Sequence, residues 1–404
     1  MLLVHKIGLR PNNKQKSYFV KASGVARFAY NWALDQWKAQ YAEGKHPKEK
    51  ELRKQLNRIK RQEFPWMAEV TKVAPQQAIK NLDQAFKRFF KKQGKYPRFK
   101  KKGIHDAFRA DNGPAKKGEN AVSIKGKRIQ LPRIGWIRMR EDLRFNGQIL
   151  SVVVSRKASR WYAAISVEST ELPHKRKSQG SVGVDLGIKT LATLSNGKQY
   201  AGPKANTMLL NLLRRTSRAL SRKQKNSHHY KKTKDKLAEL HARIANIRSD
   251  NLHKLTTDLV LTYTLIGIED LNVKGMIKNR RLSRHIMDQS FYECRRQLAY
   301  KSKWYGSRLV VMDRFYPSSK LCSTCGEKNE TLSLSDRRWR CRCGAEQDRD
   351  INAAMNIERM MMSTVSSTGI DACGVESSGT SNYLRCETMP RGSRNSTRGL
   401  TNFG

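Results

Sequence analysis

Acidic residues are scarce in this 404-residue chain. Its 34 Asp and Glu stand against 81 Lys and Arg, a formal net charge of +47. A charge this large repels itself inside a compact state. The expected remedy is a polyanion, because each Lys or Arg paired with a phosphate releases counterions and affinity grows with the number of contacts. A solvated basic surface without a partner is the plainer alternative. Long apolar runs are absent too: none reaches the roughly 18–20 residues that a spanning helix needs, which sets a membrane partner aside. The opening MLLVHKIGLRPNNKQK is too briefly apolar for a secretory signal. Apolar residues make up 38% and charged residues 28%, as in a folded but heavily solvated protein with room for roughly two to four compact units. Cysteine is sparse. Of seven, Cys294, Cys373 and Cys386 follow no disulfide spacing, so a reduced, cytoplasmic compartment is expected.

Periodicity then divides the chain. LLVHKIGLR reads as a strand ended by Pro11. KQKSYFVKASGVARFAYNWALDQWKAQYAEG carries Phe19, Val25, Phe28, Ala29 and Trp32 at helical spacing and stops at Gly44. A second helix runs through PQQAIKNLDQAFKRFFKK, with Pro75 suited to its first turn and Ile79, Leu82, Phe86, Phe89 and Phe90 on one side. From about residue 107 the period is two, giving four to six antiparallel strands with basic hairpins at Lys125–Lys127 and Lys157–Arg160. A β unit therefore resumes after a helical insertion, and the first strand is expected to pair with it. PHKRKSQGS, 173–181, reads as a linker. VGVDLGIKTLATLSNGKQY gives two strands about an Asn-Gly turn, 206–262 a long basic helical stretch, and LTYTLIGIEDL and LVVMDRFYPSSKLC two further strands. This alternation indicates an α/β unit. The Ser/Thr/Gly-rich segment after Met362 reads as disordered.

Four cysteines cluster. Cys322 and Cys325 are two residues apart, Cys341 and Cys343 one, with fifteen residues between the pairs. Two close pairs suit tetrahedral zinc, and a glycine follows each pair, at Gly326 and Gly344. Four thiolates leave no open position, so the ion would be structural. Ordinary free cysteines are the alternative.

Three acids stand out. Asp185 and Glu269 are flanked by apolar strand residues, where a bare carboxylate is costly. Asp350 heads INAAMNI, where a helix N-terminus favours an anion. Taken singly, each has an ordinary reading as a turn acid, a salt-bridge partner or an N-cap. Together, on so basic a chain, they fit a carboxylate set able to hold two Mg²⁺ ions for phosphodiester cleavage. Hard oxygen-bound magnesium and soft cysteine-bound zinc would be separate sites.

The order GVDLGIKTLATLSNG, IEDLNVKGM, cysteine knuckle, DRDINAAMNI resembles the TnpB family of bacterial insertion sequences, relatives of type V CRISPR effectors. ARFAYNWALDQW and RIANIRSDNLHKLTTDLV resemble it as well. The resemblance implies an α/β multidomain chain. Its parts would be a β-barrel wedge domain (1–16 and 107–178), a helical recognition domain (17–106), an RNase H-like, RuvC-type nuclease domain (179–362) with an inserted zinc ribbon (318–346), and a disordered tail (363–404). It implies an RNA-guided DNA endonuclease acting as a monomeric ribonucleoprotein, with a guide RNA from the transposon end and double-stranded target DNA as partners. Asp185, Glu269 and Asp350 become the catalytic, magnesium-holding acids, with Asp270 and Asp348 the neighbours most easily mistaken for them. Lys72 and Gln76, one turn apart, become candidates for reading a short DNA motif beside the target, since Gln pairs bidentately with adenine. The CxC departs from the family's usual second CxxC. Two other readings use the same residues. One is a non-catalytic zinc-ribbon DNA-binding accessory or repressor of transposition, and the other is a strand-joining transposase.

Overall fold

The computed structural model describes residues 1–113, 121–170, 179–333 and 336–367. The chain divides into two units, Met1–Met361 and Met362–Gly404. The first holds both large sheets. The linker expected at 173–181 lies outside the described residues as far as 178; its last residues already belong to a strand.

Strand β1, Leu2–Arg10, alternates buried and exposed side chains, as its period-two sequence requires. Helix α1, Asn13–Ala42, starts in a capping box: the Asn12 carboxamide oxygen accepts from the Gln15 N–H at 2.8 Å, and the Gln15 side chain accepts from the Asn12 N–H at 3.0 Å. Two further helices follow, α2 at Glu49–Ile59 and α3 at Val73–Phe90. Six strands come next: β2 (Ala107–Asp111), β3 (Ser123–Lys125), β4 (Arg128–Leu131), β5 (Gly135–Met139), β6 (Gln148–Lys157) and β7 (Arg160–Glu168). They join β1 in an antiparallel sheet of order β2-β6-β7-β1-β5-β4-β3. The first strand does pair across the helical insertion, with Leu2 opposite Glu168 and Leu9 opposite Met139. Among the described residues β2 and β3 are the edges, and no ladder closes the sheet into a barrel. The helices and this sheet share one apolar core. Phe19 packs on Phe108 of β2 and Trp161 of β7, and Trp37 of α1 stacks on Phe86 of α3.

The second sheet has the order β10-β9-β8-β11-β12. Its strands are β8 (Gln179–Asp185), β9 (Ala192–Leu194), β10 (Gln199–Tyr200), β11 (Tyr263–Glu269) and β12 (Arg308–Met312). Strands β8, β11 and β12 run parallel. The basic stretch expected as one helix is two, α4 (Ala205–Ser221) and α5 (His228–Thr262). Helices α6 (Val273–Ile277), α7 (Ser283–Gln289) and α8 (Phe291–Tyr305) link β11 to β12. One face of the sheet buries Val182, Val184, Ile266 and Ile268 against α5 and α8. Asp288 of α7, 3% exposed at its side chain, accepts from Arg248 of α5 at 2.7 Å and from the Asn206 N–H at the start of α4 at 3.0 Å. The buried pair thus ties three helices together.

A hairpin of β13 (Arg338–Arg340) and β14 (Glu346–Asp348) leads directly into α9, Arg349–Ser367. The tail expected from 363 therefore begins within a helix, and its remainder, 368–404, lies outside the described residues.

Candidate active site

Asp185 ends β8 and Glu269 ends β11. The two strands are adjacent and parallel, and Ile268 lies opposite Val184, so both acids emerge at the same carboxyl edge. That edge is where open α/β sheets place their ligands. The third acid arrives on α9. Its buried residues Ala353, Ala354, Ile357 and Met361 lie over the second face of the sheet. Two glycines allow this close seating. Gly183 and Gly267 are register partners on β8 and β11. A Cβ on Gly183 would stand 2.0 Å from the Ala354 carbonyl oxygen. One on Gly267 would stand 3.0 Å from Ile357 and from the Met361 sulfur. Each glycine precedes its acid by two residues, as Gly-Val-Asp and Gly-Ile-Glu. The sequence carried this repeated signal, and residue-by-residue reading of the acids passed over it. A hydrogen bond from the Ser181 hydroxyl to Glu358 fixes the helix further.

The acidic pair at the start of α9 divides its work. Asp348 caps the helix, its Oδ1 accepting from the N–H groups of Asp350 at 3.1 Å and Ile351 at 3.2 Å. This leaves Asp350 in the first turn without capping duty. Its carboxylate faces two guanidiniums, Arg337 Nη1 at 3.3 Å and Arg349 Nε at 3.6 Å. Both arginines escaped the sequence reading, because nothing local marks a cation among 81 as the one beside an acid. Arg337 is placed by backbone: its carbonyl accepts from the Arg349 N–H at 2.8 Å at the foot of the β13–β14 hairpin.

Asp185 bears the strain of the cluster. Burial, then the charges of Glu269 and Asp350, push its carboxyl up to about 8, and Arg349 and Arg337 only partly offset this. Burial also raises Glu269, against a hydrogen bond donated by the Ser318 hydroxyl. Asp270, next in sequence, behaves differently. Burial raises it, but Arg314 and Arg295 outweigh that and hold it below the usual carboxylate range. Its charge is already neutralised by two arginines, while that of Asp185 is not.

The four cysteines converge. Their sulfurs all lie within 4.8 Å of one another, with Cys322–Cys343 at 3.8 Å and Cys325–Cys341 at 3.6 Å. Four thiolates about 2.3 Å from a tetrahedral zinc stand roughly 3.8 Å apart, so the cage has the right size. The shorter CxC spacing does not open it. Gly326 (φ +81°) and Gly344 (φ +86°) turn the two knuckles, and their N–H groups donate to the carbonyls of Cys322 and Cys341. Burial raises the Cys322 thiol, but the N–H groups of Cys325 and Thr324 aimed at its sulfur outweigh this and lower it, which favours the thiolate a metal needs. Asn352 and Asn356 of α9 donate to the Leu321 carbonyl at 2.6 and 2.7 Å, coupling the knuckle to the helix that carries Asp350.

Lys72 and Gln76 belong to the other core, not to the acids. Lys72 is the exposed N-cap residue of α3 rather than part of the helix, and Gln76 is half-buried. It is Gln77 whose amide donates to Asp111 at 2.7 Å.

Residues 164–280 match a family model described as "Probable transposase", and 291–357 match "Cas12f1-like, TNB domain". Residues 1–46 match a model described as a helix-turn-helix domain, although here they form one strand and one continuous helix. A "Putative RNA-guided DNA endonuclease" of Streptomyces pristinaespiralis is 38% identical over 86% of each chain. A protein of the same description, InsQ of Escherichia coli K12, is 35% identical over 88% of this chain and 91% of its own. A "TnpB-like protein" of Acanthamoeba polyphaga mimivirus is 29% identical over 45% of this chain and 37% of its own. Among solved structures, a Cas12f1-sgRNA-target DNA complex shares the fold, with a TM-score of 0.56 at 13% identity over 86% of this chain and 83% of that one. Similarity of this extent over nearly nine-tenths of the sequence places the chain in the TnpB family.

Proposed function

We propose that the protein is an RNA-guided DNA endonuclease of an insertion sequence, cutting DNA beside a short flanking motif, with Asp185, Glu269 and Asp350 as its catalytic acids. The observation that carries the site assignment is the convergence of those acids from two parallel strand ends and a helix start, with Asp185 driven up to about 8 by burial and then by the other two charges. An all-oxygen donor set under mutual repulsion calls for hard divalent cations. Two Mg²⁺ ions bound there would supply an activated water and neutralise charge at the scissile phosphate. Ser318 orients the Glu269 carboxylate, and Asp348 sets the helix end so that Asp350 is left free for the site. Arg337 and Arg349 hold positive charge at the rim, where a phosphate would arrive. In this reading the second sheet with α9 is a RuvC-type nuclease domain. The cysteine cage is a structural zinc ribbon inserted ahead of its last acid.

The sheet around β1 would be the wedge, with α1 to α3 as the recognition helices bearing Lys72 and Gln76. The basic helices α4 and α5 and the hairpin turns would follow the backbones of guide RNA and heteroduplex. Base pairing would then read sequence while the protein reads the flanking motif and shape. Among the described residues no helix is long and apolar enough to cross a membrane. A monomeric ribonucleoprotein, with its guide RNA from the transposon end, is the expected working form.

The test is cleavage of target DNA by the purified ribonucleoprotein with Mg²⁺, wild type against Asp185→Ala. Cutting by the wild type alone is expected. If both bind DNA and leave it intact, a non-catalytic zinc-ribbon accessory or repressor of transposition is the better reading. The family model's transposase description favours a second reading, strand joining. Free ends among the products support the nuclease, and joined strands support the transposase.

A further inference from the structure

The loop from β12 to the first cysteine knuckle holds an aromatic ring in open water. Phe315 is 86% exposed, more than any other large apolar side chain among the described residues. The loop that carries it is firmly tied. Its own N–H donates to the Asp313 carboxylate at 2.7 Å. Arg314, just before it, is bonded to Asp270. Just after it, the Tyr316 hydroxyl donates to the Asn356 carbonyl at 3.3 Å. Ser318 donates to Glu269, and its carbonyl accepts from the Asn356 amide at 2.8 Å. Both ends of the loop are thus anchored to the residues that carry or adjoin the acids, and the ring between them is held outward. Its sequence neighbours Asp313 and Arg314 are exposed and charged. A single flat apolar face beside a guanidinium suits an unpaired nucleobase with its phosphate. Every base has a π-face, and stacking needs no sequence.

We propose that Phe315 is a stacking platform for an unpaired base of the DNA strand entering the acid cluster. This rests on the endonuclease reading above. The ring would fix the strand's register against Asp185, Glu269 and Asp350, and so the position of the cut.

The test uses the full ribonucleoprotein and target DNA carrying 2-aminopurine at successive positions of the cut strand, with Ca²⁺ in place of Mg²⁺ for the fluorescence and Mg²⁺ for the rates. The wild type should quench the probe at one position or two neighbouring ones. Phe315→Ala should relieve that quench and slow cleavage about 5- to 150-fold, the span alanine replacement of a base-stacking aromatic gives. Phe315→Trp should restore both, and guide-RNA binding and zinc content should be the same in all three proteins. Identical fluorescence and rates in wild type and Phe315→Ala would overturn the proposal. So would a Phe315-dependent quench seen only when the probe sits in the guide RNA. A wild type that cuts no DNA sinks the endonuclease reading itself, and this proposal with it.

Discussion

Replacing Asp185 by Asn should stabilise the protein when magnesium is absent and the pH is high. The carboxyl titrates near 8 in the folded chain against 3.8 for the free group, a difference of about 4 units. Between those values the folded state holds a proton that the unfolded state has lost. Folding stability therefore falls as pH rises, by about 1.4 kcal/mol per unit at most, from about pH 4 to about pH 8. The whole span corresponds to a ceiling of roughly 6 kcal/mol. Water and counterions at the open rim screen part of the repulsion, so about 2–3 kcal/mol is the working expectation at pH 8. Asn keeps the shape and removes the charge. Melting should be followed in magnesium-free buffer with zinc retained, at pH 5 and pH 8. A gain of about 3–4 °C for Asp185→Asn at pH 8 is expected for a unit of this size, shrinking markedly at pH 5. Added Mg²⁺ should raise the wild-type transition at pH 8 and close the gap, because binding to the folded state alone is stabilising. The reasoning fails if the variant melts at or below the wild type at pH 8. It also fails if the difference is the same at both pH values.

Other substitutions probe the scaffold. Gly183→Ala drives a methyl into the Ala354 carbonyl and should cost about 1–3 kcal/mol or more, with α9 displaced and cleavage lost while RNA binding persists; unchanged melting and activity would contradict the close seating. Asp288→Ala removes the carboxylate that pairs the largely buried Arg248 and should cost about 3–5 kcal/mol, read as a lower denaturation midpoint; a loss under 1 kcal/mol would show the clamp to be dispensable. Cys341→Ser should lower bound zinc, measured by elemental analysis, and raise hydrogen exchange in β13, β14 and the first turn of α9; full zinc retention would argue against the four-sulfur cage. Guide-RNA affinity should drop at least about 1,000-fold between 50 and 200 mM salt if six or more phosphates are held, and a flat salt response would refute the polyanion reading.

How much of this was legible in the sequence depends on how local the signal is. Helix α1 could be read from its apolar spacing and its Gly44 stop, and the cysteine cage from two short spacings. The three acids stood out because a carboxylate among strand residues is costly wherever the strand ends up. Helix α2 and the helices α6 to α8 were missed. Helix α2 buries only Leu52 and Leu56, too narrow a stripe to announce itself, and α6 and α7 are short. The division of the basic stretch into α4 and α5 rests on two adjacent residues, Asn226 at φ +67° and the N-cap Ser227, a short signal inside a long basic stretch.

The sequence by itself determined the charge and singled out the four cysteines and the three acids as candidates, since these follow from residue types and near-neighbour spacing. Only the tertiary structure decided what those residues face. It set β1 against β7 across more than 150 positions. It put Gly183 beside Gly267 so that α9 lies on the strands, and it turned the distant Arg337 toward Asp350 alongside the adjacent Arg349. It also separated Asp348, a cap, from Asp350, a member of the acid cluster. Pairing register and helix seating come from burial and sterics between segments far apart in the chain, and no local period records them.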